Sequence, residues 1–320
     1  MKIFFAHCPR PSTAGTVSTR VRAQTFCETL MLPPLQLLQP TTVSEASRAL
    51  EEFGDDAKIY AGGAELLLLM RHGLLHTAVL VDVKKIEQLQ SLSWDENALR
   101  VGACVTHHAL ETSALVREHA PLFAYAESQV ANVRVRNQGT LGGNLCFNDP
   151  HSDPGPVLLI HDASVALGGH RGERRMRLDD FFLDMYATAL ERDEILLEVQ
   201  IPALPAGMTS AYLRLHRYQR PTLGVAVAVT MERGTVAQAR IAVGCVGPKA
   251  QRLPQIEAKV AGTTISEAGK LLHEQKPYLH ETLRPVDDLL GSADYKLYMT
   301  CALLGDALEQ ALRNNGGEDR

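Results

Sequence analysis

Two stretches far apart in the chain place paired glycines beside small polar residues: "YAGGAEL" over residues 60–66 and "GTLGGNL" over 139–145. Glycine admits positive φ and removes side chains that would keep a ligand from the backbone. Successive N–H groups in such a turn make a concave anion site. A helix starting behind it adds favourable partial charge. One such turn would hold one phosphate group, and two would grip a pyrophosphate from both sides. The second stretch lies in Arg136–Gly155, which packs four glycines, two prolines and two aspartates into twenty residues. Neither stretch is G-x-G-x-x-G or G-x-x-x-x-G-K-[ST], so the dinucleotide fingerprint and the triphosphate loop are both absent.

Other candidate groups are few. Asp153 suits a helix cap before Pro154. Asn144 suits local bonding within a turn. His107 and His108 open a helical stretch, where neighbours point in different directions, so they do not make a metal pair. Cys146 reads as a small packed side chain and Arg214 as a strand-surface cation. No nucleophile stands at a recognisable spacing from a base, and no metal site or catalytic residue is assigned.

The elements that must position these residues follow from spacing and punctuation. "PTTVSEASRALEEFG" predicts a turn and a helix capped by Ser44 and ended by Gly54. "AKIYAGG" predicts a strand over Lys58–Tyr60 running into the glycine turn, and "AELLLLMRHG" a helix directly after it. "TAVLVDV" and "ALRVGACVT" read as strands, and "THHALETSALVREHAPLFAYAESQ" as mostly helical. "PGPVLLIHDASVAL" reads as a short helix and a strand. "EILLEVQIP" and "SAYLRLHRY" are β runs, and "GVAVAVTMERGTVAQARIAVGCVG" is a hairpin around "ERGT". Helices dominate from Gln255 onward. The pattern is α+β.

The chain has 320 residues, with Lys+Arg 32 against Asp+Glu 37 and a net charge of −5. That disfavours a nucleic-acid partner. No apolar run reaches the roughly 18 residues of a membrane span. The six cysteines, at 8, 27, 104, 146, 245 and 301, form no C-x-x-C pair and read as free thiols in a reducing cytoplasm. Residues 1–30 read as a loosely ordered extension.

"AKIYAGGAELLLLMRHGLLHTAVLVDVKKIEQL" and "QVANVRVRNQGTLGGNLCFNDPHSDPGPVLL", with "EILLEVQIP" and "RIAVGCVGPKAQR" after them, resemble the FAD-binding medium subunits of molybdenum hydroxylases. These are enzymes of the carbon monoxide dehydrogenase and xanthine dehydrogenase type. The resemblance runs from about Met31 to the C-terminus. It implies a two-subdomain FAD-binding fold of the p-cresol methylhydroxylase type over 31–210, split near 90, and a C-terminal α+β domain over 211–320. It implies non-covalent FAD, with the pyrophosphate against the backbone of Ala61, Gly62, Gly63, Ala64, Glu65 and Leu66. Thr140, Gly142, Gly143 and Asn144 would form the second loop and Asp153 would bind ribityl hydroxyls. Leu197, or its neighbour Leu196, would touch the isoalloxazine, and Arg214 would stand near its pyrimidine edge.

Two departures stand out. Glu65 puts a carboxylate beside the expected pyrophosphate, and Thr222 stands where some members carry a flavin-side tyrosine. The resemblance further implies a small [2Fe–2S] subunit, a large molybdopterin subunit and a dimer of heterotrimers. Electrons would pass from the clusters through this flavin to an external acceptor. A free-standing flavin oxidase or reductase of the same fold, and an assembly module without cofactor, are the competing readings.

Overall fold

The computed structural model describes residues 34–216 and 220–314, so the expectation for residues 1–30 lies outside them. The first sheet is parallel: β1 (Gln36–Leu38), β2 (Ala57–Tyr60) and β3 (Val79–Asp82), in the order β1-β3-β2. All four residues of β3 are buried, as a central parallel strand requires. Helix α1 (Val43–Phe53) covers this sheet with Ala46, Ser47 and Leu50. Its cap is Thr42 rather than Ser44: the Thr42 hydroxyl accepts the Glu45 N–H, while Glu45 reaches back to the N–H of Thr41. Gly54, at φ 55°, ends the helix as expected. β2 runs directly into Gly62–Gly63, and α2 (Leu66–Arg71) follows. The glycine turn therefore sits at the carboxyl end of a parallel strand, where α/β crevices form.

The second sheet is antiparallel, in the order β4-β5-β10-β6-β7. It comprises β4 (Leu92–Asp95), β5 (Ala98–Gly102), β6 (Ser164–Gly169), β7 (Gly172–Arg177) and β10 (Ile195–Pro202). Between β5 and β6 come α3 (His107–Thr112), α4 (Ala114–His119), α5 (Pro121–Gln129), α6 (Val133–Gln138), α7 (Leu141–Phe147) and α8 (Pro154–Ile160). After β7, α9 (Leu178–Phe181) leads into a small hairpin, β8 (Phe182–Asp184) and β9 (Ala187–Thr188).

The third sheet, again antiparallel, runs β11 (Thr209–His216), β12 (Pro221–Glu232), β13 (Thr235–Gly244) and β14 (Gln251–Arg252). Its two faces differ in size. Val225, Val227 and Val229 join a core with α10 (Pro254–Val260), α11 (Ile265–Glu274), α12 (Lys276–Leu283) and α13 (Ala293–Arg313). Ala226, Ala228 and Ala242 face the other core, where α8 packs on β12 and β13. The alternation of valine and alanine in "VAVAV" thus encodes a wide helical layer on one face and a close-set helix on the other. At that contact a side chain on Gly244 would strike Pro156.

Candidate cofactor site

A cavity of about 480 Å³ opens where the first sheet, α7 and β10 meet. The two glycine stretches form facing parts of its wall and touch each other: a Cβ on Gly62 would overlap the carbonyl of Gln138. Gly63 adopts φ 74°, which a side chain would resist. Among the described residues, the N–H groups of Gly62, Gly63, Ala64, Glu65 and Leu66 donate to no protein acceptor. Five consecutive such donors stand at the edge of the cavity, an arrangement that could cradle an anion.

The second stretch departs from expectation. It is not a loop but the first turn of α7, and its donors are used internally. Leu141 and Gly142 donate to the carbonyls of Val105 and Ala103, both at 3.0 Å. The Thr140 hydroxyl caps the Gly143 N–H at 3.1 Å, and Asn144 N–H donates to the Thr140 carbonyl at 2.9 Å. Gly142 is required not by positive φ but by contact, since any Cβ would strike Ala103 on the neighbouring segment. What this side offers is a flat glycine surface and the side chains of Thr140 and Asn144; the Asn144 side-chain oxygen accepts from the Ser152 hydroxyl at 2.7 Å.

The structure gathers Ala61 to Leu66, Thr140, Gly142, Gly143, Asn144 and Asp153 around this one cavity. It does not bring Leu197 or Arg214 to it. β10 bulges after Leu196, so Leu196 lines the cavity, while Leu197 points to the core beside Gly168. Arg214 lies behind Asp153, donating to its carboxylate at 3.2 Å and to the Gln129 carbonyl at 2.6 Å. Thr222 is buried away from the wall. Asp153 does not cap α8; its carboxylate accepts instead from Arg214 and, at 2.8 Å, from the Tyr212 hydroxyl.

Comparison with known proteins bears on what this cavity holds. Residues 33–204 match the family described as FAD binding domain in molybdopterin dehydrogenase, and residues 212–311 match the CO dehydrogenase flavoprotein C-terminal domain. The chain belongs to the FAD-binding medium subunits of the molybdenum hydroxylases. The carbon monoxide dehydrogenase medium chain of Hydrogenophaga pseudoflava is 32% identical over 285 residues, covering 88% of this chain and 98% of that one. The nicotine 6-hydroxylase medium subunit of Paenarthrobacter nicotinovorans is 31% identical, covering 83% and 93%. The solved carbon monoxide dehydrogenase of H. pseudoflava superposes with a TM-score of 0.84 at 33% identity, covering 89% of this chain and 99% of that chain. Quinoline 2-oxidoreductase from Pseudomonas putida 86 gives 0.82 at 28%, covering 89% and 99%.

This FAD subunit carries several charged groups at the cavity that its sequence did not announce. Burial pushes the Asp153 carboxyl up to about 7 against the opposing pull of Arg214 and Tyr212. Burial also raises Glu65; Arg220, 3.8 Å away, draws it back, and Asp149 raises it further. Arg220 also pairs with Asp149 at 2.9 Å and so links the first stretch to the loop after α7. His107 is buried against Glu127, Nδ1 to Oε2 at 2.5 Å, whereas the more exposed His108 bonds to Glu111. Among the described residues no cluster could hold a metal ion, and no helix is long and apolar enough to cross a membrane. Cys146 is half-buried and lines the cavity wall, where desolvation pushes its thiol up to about 12.

Proposed function

We propose that the chain binds FAD non-covalently in this cavity and carries electrons from the [2Fe–2S] clusters of a small partner subunit to an external acceptor. Substrate oxidation would occur at a molybdenum cofactor on a large partner subunit, in a cytoplasmic dimer of heterotrimers. Bound FAD would supply the chemistry that joins one-electron donors to a two-electron acceptor. The observation that carries this reading is the run of unpartnered donors from Gly62 to Leu66 facing a second glycine surface across the cavity.

This chain's residues then take distinct parts. The N–H groups of Gly62 to Leu66 would hold the pyrophosphate, with Ala61 leading the chain into the turn. Gly142 and Gly143 would let it approach α7, and Thr140 and Asn144 would contact it through side chains. Asp153 would accept from ribityl hydroxyls, oriented by Tyr212 and Arg214, so that Arg214 acts by positioning rather than by touching the flavin. Leu196, not Leu197, would supply the apolar contact. Glu65 would serve through its backbone, its carboxylate drawn toward Arg220. The FAD-binding part would end between residues 204 and 212, where the two family matches leave a gap.

The test is colour and stoichiometry. The purified chain should be yellow, and denaturation should release about one FAD per chain. Gly62→Val, which drives a side chain into the Gln138 carbonyl, should abolish flavin binding while circular dichroism keeps its helical signal. A colourless wild-type chain that FAD does not reconstitute would sink the reading.

A further inference from the structure

Gln138 and Gly139 form the surface on which the first glycine turn rests. A Cβ on Gly62 would overlap the Gln138 carbonyl and come within 2.9 Å of the Gly139 Cα. What holds that surface in place lies behind it. Gly142 and Leu141 donate to the carbonyls of Ala103 and Val105, and the His107 N–H donates to the Gly139 carbonyl at 3.1 Å. The His107 ring then packs on Gly139 itself, where a Cβ would lie 3.1 Å from the ring's Cδ2.

The opposite edge of the ring is fixed as well. Nδ1 lies 2.5 Å from Oε2 of Glu127, which projects from α5. Whichever group holds the shared proton, that bond sets the plane of the ring. Glu127 is 0% exposed, and its other oxygen meets no described donor. Burying a carboxylate for one hydrogen bond is costly, and an apolar pair of similar volume would join α3 to α5 at least as well. Stability alone does not account for the pair. His107 lines the cavity, whereas Glu127 stands behind the wall. Two residues further on, the Gln129 carbonyl accepts from Arg214, which in turn holds Asp153. The last turn of α5 thus backs both the glycine contact and Asp153.

We propose that Glu127 and His107 are positioning residues for the phosphate cradle. Glu127 orients His107, His107 seats Gly139, and Gly139 with Gln138 sets where Gly62 to Leu66 present their N–H groups. This role rests on the FAD reading, and Glu127 exercises it without touching the cofactor.

The test uses the full chain, stripped of flavin and titrated with FAD where circular dichroism shows each variant folded. Glu127→Leu removes both the bond and the charge. Glu127→Gln removes the charge alone, because an amide can donate to Nδ1 or accept from it. Glu127→Leu should bind FAD about tenfold more weakly, the worth of one hydrogen bond, and Glu127→Gln within about twofold of the wild type. Glycine-selective nitrogen-15 NMR of the flavin-free chain gives a second readout. The Gly62 and Gly63 amide signals should move in Glu127→Leu and stay in Glu127→Gln. Gly139→Ala, whose methyl would crowd the His107 ring, should weaken FAD binding and move the same signals; it decides the question if Glu127→Leu does not fold. Full FAD affinity in the folded Glu127→Leu chain, or in Gly139→Ala where that chain is unfolded, overturns this inference, as do equal losses in the Leu and Gln variants. Each of these leaves the FAD reading intact. A wild-type chain that binds no FAD overturns the FAD reading instead, and the glycine signals still decide whether Glu127 positions the turn.

Discussion

Asp153 is the residue whose environment most changes its chemistry. Unfolded, its carboxyl titrates near the ordinary value of 3.8; folded, burial raises it to about 7. Between those values the folded chain binds more protons than the unfolded one. The contribution of Asp153 to stability therefore falls as pH rises through that window and is level above it. In the flavin-free chain, Asp153→Asn should flatten this part of the profile. Urea midpoints at pH 5 and pH 8 would be compared, and a gap between them as large in the variant as in the wild type would refute the assignment. A second prediction concerns Thr264, whose hydroxyl and Glu267 form a reciprocal cap at the start of α11. Thr264→Ala should cost about 1 kcal/mol, read from chemical denaturation, with flavin content unchanged.

At the level of elements, the sequence announced most of the scaffold and part of the cavity wall. β2, the glycine turn, α8 and the β12–β13 hairpin follow from local punctuation and periodicity, which depend on a few neighbouring residues. The errors came where a distant partner decides. Thr140 turned an expected loop into a helix start because its hydroxyl caps Gly143 while Val105 and Ala103 accept the next N–H groups. A single bulge in β10 decides between the two leucines the resemblance offered, turning Leu196 to the cavity and Leu197 to the core, since one extra residue reverses which side chain faces inward. The alanine face of β12 gives an element-scale prediction. Ala228→Leu should overpack the contact with α8 and cost on the order of 1–3 kcal/mol, whereas Thr230→Val, nearer the strand's end, should cost less. Equal losses from both in thermal unfolding would argue against a close-set helix on that face.

Over the whole molecule, the cavity draws its wall from residues as far apart as Lys58 and Arg220, so a ligand bound there would touch segments distant in the chain at once. Free FAD at a hundredfold excess over its dissociation constant should stabilise the chain by about 2.7 kcal/mol. Calorimetry with and without added FAD would show this as a rise in the unfolding temperature, and no rise would mean that the folded chain has no specific seat for it.

The contact between the two glycine stretches also has a consequence for biosynthesis. The turn that carries Gly62 leaves the ribosome well before Gln138 and Gly139, against which it packs. Leu196 and Arg220, which also line the cavity, come later still. A ligand of this cavity would be captured only after those segments have been made.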